Sequence, residues 1–178
     1  MNYKEVLMVS LVTLFLAGCQ TPRPIYTVSQ VDLDRFMGDW YVISSIPTFI
    51  EKEAFNAVES YRIESDGVVA TTYRFNKGGF EGPLKEYTPT GFVRDNTSNA
   101  VWDMQFIWPF KAEYRIIYLN DDYTQTVIGR SKRDYVWIMA RKTTIPEDDY
   151  ERILSFLREE GYDLSDLRKV PHGGAGKN

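Results

Sequence analysis

Between residues 40 and 141 the chain alternates apolar and polar positions with a period of two, in short runs broken by Gly, Pro, Asn and Asp. That period sends successive side chains to opposite faces, so each run predicts a strand with one buried face. The runs cover residues 40–46, 57–64, 68–76, 84–94, 100–108, 112–119, 123–131 and 135–141. Tyr61 and Ile63 share a face opposite Ser60 and Arg62, and Val69, Thr71, Tyr73 and Phe75 share another. Trp102, Met104, Phe106 and Trp108 form a third apolar face, and Tyr114, Ile116 and Tyr118 a fourth. Asp66-Gly67 suits a hairpin turn because both residues tolerate positive φ. Pro89 predicts a bend inside 84–94, since proline cannot donate to a ladder. Residues 135–141 are apolar on both faces, which predicts one face turned inward and the other covered from outside.

The cover follows directly. Thr144-Ile145-Pro146-Glu147 reads as a T-x-x-E capping box with an early proline. Tyr150, Ile153, Leu154 and Leu157 then fall on one helical face, and Gly161 supplies a stop. Residues 162–170 predict a short ninth strand, residues 171–178 a frayed tail, and residues 48–56 a loop able to close over one end of the fold. Eight strands in hairpin succession with one helix outside predict an all-β fold, an eight-stranded antiparallel up-and-down β-barrel.

Residues 1–18 are set apart from this pattern. Lys4 precedes an apolar run over 6–16, and Leu16-Ala17-Gly18 leads into Cys19. This reads as a secretory signal too short to span a bilayer. A small-residue box ending in cysteine resembles the bacterial lipoprotein signal, and that resemblance implies cleavage before Cys19 and its lipidation, palmitate included. Gln20, rather than aspartate, then implies outer-membrane delivery in enteric-type sorting. Residues 19–30, with Pro22 and Pro24, form an extended tether, and residues 31–170 a single barrel domain. Cys19 is the only cysteine, so no intramolecular disulfide exists. A net charge of −4 carries no basic excess for nucleic acid. Aromatics make up 15% of the chain, a content suited to a large core or an apolar cavity.

Three separated motifs give the pattern a family. Phe36-x-Gly38-x-Trp40-Tyr41 opens the first strand, Asp122-Tyr123 follows an acidic turn, and Arg141 closes the eighth strand ahead of Ile145-Pro146 and the helix. In order and spacing the chain resembles the lipocalins, and within them the bacterial outer-membrane branch and its apolipoprotein D-like animal relatives. The resemblance implies a calyx-shaped barrel, with Phe36, Gly38, Trp40, Asp122, Tyr123 and Arg141 bracing its closed end. A guanidinium on an indole face is worth roughly 0.5–2 kcal/mol, which makes Arg141 beside Trp40 a structural pair.

Parity with Trp40 and Arg141 nominates Tyr61, Tyr73, Phe75, Trp102, Met104, Phe106, Tyr114, Ile116, Trp137 and Met139, with Val69 and Tyr118, as inward residues around an apolar ligand pocket. The family resemblance makes the expected cargo an amphipathic lipid, a fatty acid or lysophospholipid, held for storage or transport at the outer membrane with the barrel facing the periplasm. A barrel packed solid by its own aromatics would point instead to a structural envelope lipoprotein. Enzymatic chemistry is the weaker reading. The single histidine, His172, lies in the tail, Cys19 would be lipidated, and no nucleophile–base pair stands at recognisable spacing. No cofactor or metal is expected, because zinc and haem sites depend on histidine or cysteine. Glu59, which shares parity with Tyr61, is the carboxylate most able to acquire a raised pKa. The oligomeric state, a homodimer included, stays open.

Overall fold

The computed structural model describes residues 23–173. Cys19 and the signal at 1–18 lie outside the described residues, as do the last five positions of the expected tail. Ten strands are present among the described residues: β1 (Gly38–Ile46), β2 (Ala54–Ser65), β3 (Val68–Lys77), β4 (Leu84–Tyr87), β5 (Thr90–Val93), β6 (Val101–Ile107), β7 (Phe110–Leu119), β8 (Gln125–Gly129), β9 (Val136–Ala140) and β10 (Arg168–Lys169). Two helices accompany them, α1 (Leu33–Phe36) and α2 (Glu147–Glu159). The strands pair antiparallel in the order β1-β2-β3-β5-β6-β7-β8-β9, with β4 also on β3 and β10 on β1, and β1 pairs with β9, so the sheet closes on itself. Closure removes the unpaired edges that an open sheet would expose. The barrel has eight staves, because β4 and β5 together form one of them along β3.

The split at Thr88-Pro89 replaces the single bent strand expected over 84–94. Pro89 has no N–H to give, yet its carbonyl still accepts from the Thr71 N–H at 3.1 Å. Pairing therefore resumes on β5 without a change of stave.

Two apolar layers lie on either side of the wall. Inside are Trp40, Val42, Tyr61, Val69, Phe75, Trp102, Ile116, Ile128 and Met139. Outside, Ile43, Ile117, Val127, Val136 and Ile138 meet Tyr150, Ile153, Leu154 and Leu157 of α2. The two-faced apolar pattern of β9 is thus satisfied by cavity and helix together. A register shift between Ile116 and Tyr118 interrupts the alternation of β7. It turns Tyr118 outward against Phe156, with ring centroids 5.8 Å apart, correcting the inward position that simple parity assigned to it.

The start of α2 also departs from expectation. No side chain caps it, and Pro146 occupies the N-cap position with extended dihedrals. A Thr144 cap would require Ile145 to be helical, and the residue before a proline is pushed out of that region. Glu147, Asp148 and Asp149 in the first turn face the helix dipole favourably instead. The C-terminus is a complete Schellman motif. Gly161, at φ +86°, donates to the Arg158 carbonyl at 3.0 Å, and Tyr162 donates to that of Leu157 at 3.0 Å.

Residues 162–170 contribute only the two-residue β10, and the chain beyond it is tied down at least to Gly173. Strands β1 and β2 pair only as far as Tyr41 and Val58, and a register shift in β2 between Phe55 and Val58 lets them diverge. The C-terminal segment fills the gap. Ser44 and Ser45 pair with Lys169 and Arg168, the Val170 N–H meets the Ile43 carbonyl at 2.9 Å, and the Asn56 N–H meets the Pro171 carbonyl at 2.8 Å. His172 follows, its Nε2 2.8 Å from the Val42 carbonyl. Among the described residues no helix is long and apolar enough to cross a membrane.

Candidate functional site

The barrel has one end sealed and one end hollow. At the sealed end Gly38 turns the chain at φ +91°, and Trp40 points in, its indole N–H donating to the Phe36 carbonyl at 2.8 Å. The Arg141 guanidinium lies 3.9 Å from the centroid of the Trp40 ring. Its N–H groups donate to the carbonyls of Asp39 (2.8 Å), Arg35 (2.8 Å), Phe36 (3.0 Å) and Tyr123 (3.3 Å). One side chain thus joins α1, β1, the β7–β8 turn and the end of β9. The Tyr123 hydroxyl accepts from the Asp32 N–H at 2.9 Å, while Arg35 stacks 4.0 Å over its ring and donates to the Asp121 carbonyl. Asp122 is exposed and makes no hydrogen bond or ion pair among the described residues. The acidic turn acts here through a backbone carbonyl, which corrects the bracing role expected of the Asp122 side chain.

Above this seal the interior is solid. Phe36 stands 5.0 Å from Trp40 and 5.6 Å from both Tyr61 and Trp102, and Trp102 stacks on Tyr114 at 5.1 Å. These pairs are tilted, edge-on or stacked, at centroid separations where aromatic rings attract. The expectation of one continuous pocket is therefore corrected for half of its residues. Tyr61, Phe75, Trp102, Ile116 and Met139 belong to the packed core. Tyr73, Met104, Phe106, Tyr114 and Trp137 line a cavity of about 330 Å³ at the open end. Parity along a strand sets the face of a side chain but not its depth.

Ile50, Glu51, Glu59, Tyr87, Ala112 and Tyr135 also line this cavity. Of these, Glu59 was visible from its parity with Tyr61, whereas Tyr87 was hidden by the break at Pro89. Glu51 sits on the loop at 48–53, which folds across the mouth. One carboxylate oxygen accepts from the Thr48 N–H (2.9 Å) and hydroxyl (3.0 Å), and the other from the Trp137 indole N–H (3.1 Å). No periodic signal announces it, because a loop has none. Phe106 reaches the rim half-exposed, and Trp108 is 82% exposed rather than inward. A register shift between Met104 and Ile107 ends the alternation there. With Phe49, Ile107 and Phe110, these side chains leave an exposed apolar rim.

Beneath the mouth, Tyr114, Tyr61 and Glu59 form a hydrogen-bonded chain. The two phenol oxygens are 2.7 Å apart, and the Tyr61 hydroxyl donates to the Glu59 carboxyl. Burial pushes the Glu59 carboxyl up to about 7, opposed by the Tyr61 hydrogen bond and reinforced by the charge of Glu51. Burial likewise raises Glu51, against the hydrogen bonds from Thr48 and Trp137. Tyr61 and Tyr114 are held well above the usual phenol range, chiefly by burial and then by the Glu59 charge. Both phenols are therefore neutral donors at physiological pH. Among the described residues no three His, Cys, Asp or Glu side chains are placed to hold a metal ion.

A closed eight-stranded antiparallel barrel with an external helix, sealed at one end and hollow at the other, defines a calyx. A family model described as a lipocalin-like domain matches residues 31–172, and the chain belongs to that family. It is 31% identical over 161 residues to temperature-induced lipocalin-1 of Arabidopsis thaliana, covering 84% of this chain and 83% of that protein. It is 25% identical over 166 residues to the outer membrane lipoprotein Blc of Citrobacter freundii, covering 90% and 92%. Insecticyanin from the tobacco hornworm Manduca sexta superposes with a TM-score of 0.70 at 13% identity, covering 87% of this chain and 88% of that one. That likeness is one of fold.

Proposed function

We propose that the protein is an envelope lipocalin that holds one amphipathic lipid, a fatty acid or lysophospholipid, for storage or transport, with no chemistry performed on it. The observation that carries this reading is the cavity of about 330 Å³ between Tyr73, Met104, Tyr114 and Trp137, open to solvent through an apolar rim. Its volume falls at the lower end of the range for ligand pockets, about 300–1,000 Å³. Each methylene buried there contributes about 0.8 kcal/mol, offset by the cost of immobilising the chain. Exposed apolar surface beside a pocket marks a place where an apolar partner is met. Saturable quenching or enhancement of Trp137 fluorescence is expected when fatty acid or lysophospholipid is added to delipidated protein, with loss of the signal in Trp137→Phe. Absence of binding for every chain length tested would overturn the reading.

The anchoring half of the proposal rests on the small-residue box before Cys19 and on the relationship to outer membrane lipoproteins over most of the chain. A lipidated Cys19 would hold the barrel at the outer membrane, on its periplasmic side, since two or more acyl chains give stable attachment where one does not. Cys19→Ser is expected to leave the protein soluble or unprocessed on membrane fractionation. A processed mutant that still fractionates with the outer membrane would place the anchor elsewhere.

A further inference from the structure

The cavity is apolar in its walls but acidic at its inner end. Glu59 is half-buried in the barrel wall and faces the cavity, and its single hydrogen bond among the described residues comes from Tyr61 to Oε2. No described residue hydrogen-bonds its Oε1, and neither Glu59 nor Glu51 has a cation within ion-pair distance among the described residues. The phenol chain cannot serve that oxygen. Tyr61 spends its proton on Oε2, and Tyr114 then donates to Tyr61. Across the wall, Glu59 pairs with Tyr73 and Tyr73 with Tyr87, which puts two cavity-lining phenols on the same row. The cation among the lining residues, Arg130, is engaged at the rim by Asp134 (3.4 Å) and by the Tyr135 ring (5.2 Å). A buried carboxyl with a free oxygen facing a hollow is costly unless something that enters the hollow supplies a donor.

We infer that the inner end of the cavity recognises an ammonium group, so that the preferred ligand is a long-chain primary amine or another amine-headed amphiphile bound head inward on Glu59. The ammonium would donate to Glu59 Oε1, with Glu51 adding a second negative charge and the Tyr73 and Tyr87 oxygens able to accept its remaining protons. The alkyl chain would run outward past Met104 and Trp137 to the apolar rim at Phe106 and Ile107. A fatty-acid carboxylate in the same place would be a third acid beside two, and is disfavoured by like-charge repulsion in a medium of low dielectric. This rests on the reading that the cavity holds a single amphiphile, and it replaces the fatty acid of that reading with an amine-headed one.

The test uses the full chain, purified and stripped of lipid, titrated at pH 8 with three probes of one chain length: dodecylamine, dodecanol and dodecanoate. Dodecylamine is expected to bind at least ~10-fold more tightly than dodecanoate, in line with the coupling measured for close charge pairs in desolvated sites. Glu59→Gln should weaken dodecylamine by ~10-fold or more while leaving dodecanol within about threefold. The ranking of the three probes on the unaltered protein is informative even if that variant folds poorly. Equal affinities for the three heads, tighter binding of dodecanoate, or an unchanged dodecylamine affinity in folded Glu59→Gln would overturn the inference while leaving the lipid-cavity reading intact. Failure of all three probes to bind would overturn both.

Discussion

The two ends of the barrel are built from the same strands and the same inward faces, yet they are put to opposite uses. At the closed end large rings touch one another, and the cation that covers them spends its donors on four backbone carbonyls. At the open end the rings line a hollow, and Glu51 and Glu59 face it with no cation within ion-pair distance among the described residues. The first arrangement lowers the free energy of the folded chain, and the second raises it in order to leave room for something else. Stability and binding are thereby separated by depth along each strand, so that either can be altered with limited effect on the other.

Truncating Trp40 to alanine tests the stability end most severely. It removes a fully buried ring and its hydrogen bond to Phe36, and a loss of about 3–5 kcal/mol is expected in urea unfolding. Trp137→Ala, at the half-buried cavity wall, should cost much less stability and instead weaken ligand binding. Equal losses at the two sites would erase the contrast.

The carboxyl at the open end should leave its mark on pH dependence. Glu59 is raised from an ordinary carboxylate value to about 7 in the folded chain. The unfolded chain thus gives up this proton first as pH rises. The contribution of the group to stability is fully present below about pH 4.5 and is lost as pH climbs through 7, by up to about 3 kcal/mol. Glu59→Gln should flatten that decline in urea melts compared at pH 5 and pH 8. An unchanged slope would show that the carboxyl is well solvated.

Filling in each region sharpens the contrast further. Met139→Trp overpacks the closed half and should cost about 1–3 kcal/mol, whereas Met104→Trp extends into the hollow and should cost less than about 1 kcal/mol while cutting capacity for long chains. The closed end has a further test in the coupling between Trp40 and Arg141. A double-mutant cycle with Trp40→Phe and Arg141→Lys should show an interaction energy of about 0.5–2 kcal/mol, and additivity would mean that Arg141 acts through its carbonyl contacts alone.

The local pattern of the chain was enough to determine much of this. Alternation named the staves, the two-faced run at 135–141 called for an external helix, and Tyr150, Ile153, Leu154 and Leu157 supplied it. The motifs around Trp40 and Arg141 carried the family resemblance, because glycine geometry and guanidinium–indole pairing need particular residues. What alternation could not express is depth, and depth separates Trp102 and Met139 in the packed floor from Met104 and Trp137 in the cavity wall. Nor could it foresee the register shifts that turn Tyr118 outward and leave Trp108 exposed, since a bulge is a property of two paired strands. Glu51 enters the cavity only because its loop folds over the mouth, and residues 168–173 are ordered because β1 and β2 diverge and leave backbone groups to be met. Those features depend on how strands of unequal length close into one barrel, and only the assembled structure contains that information.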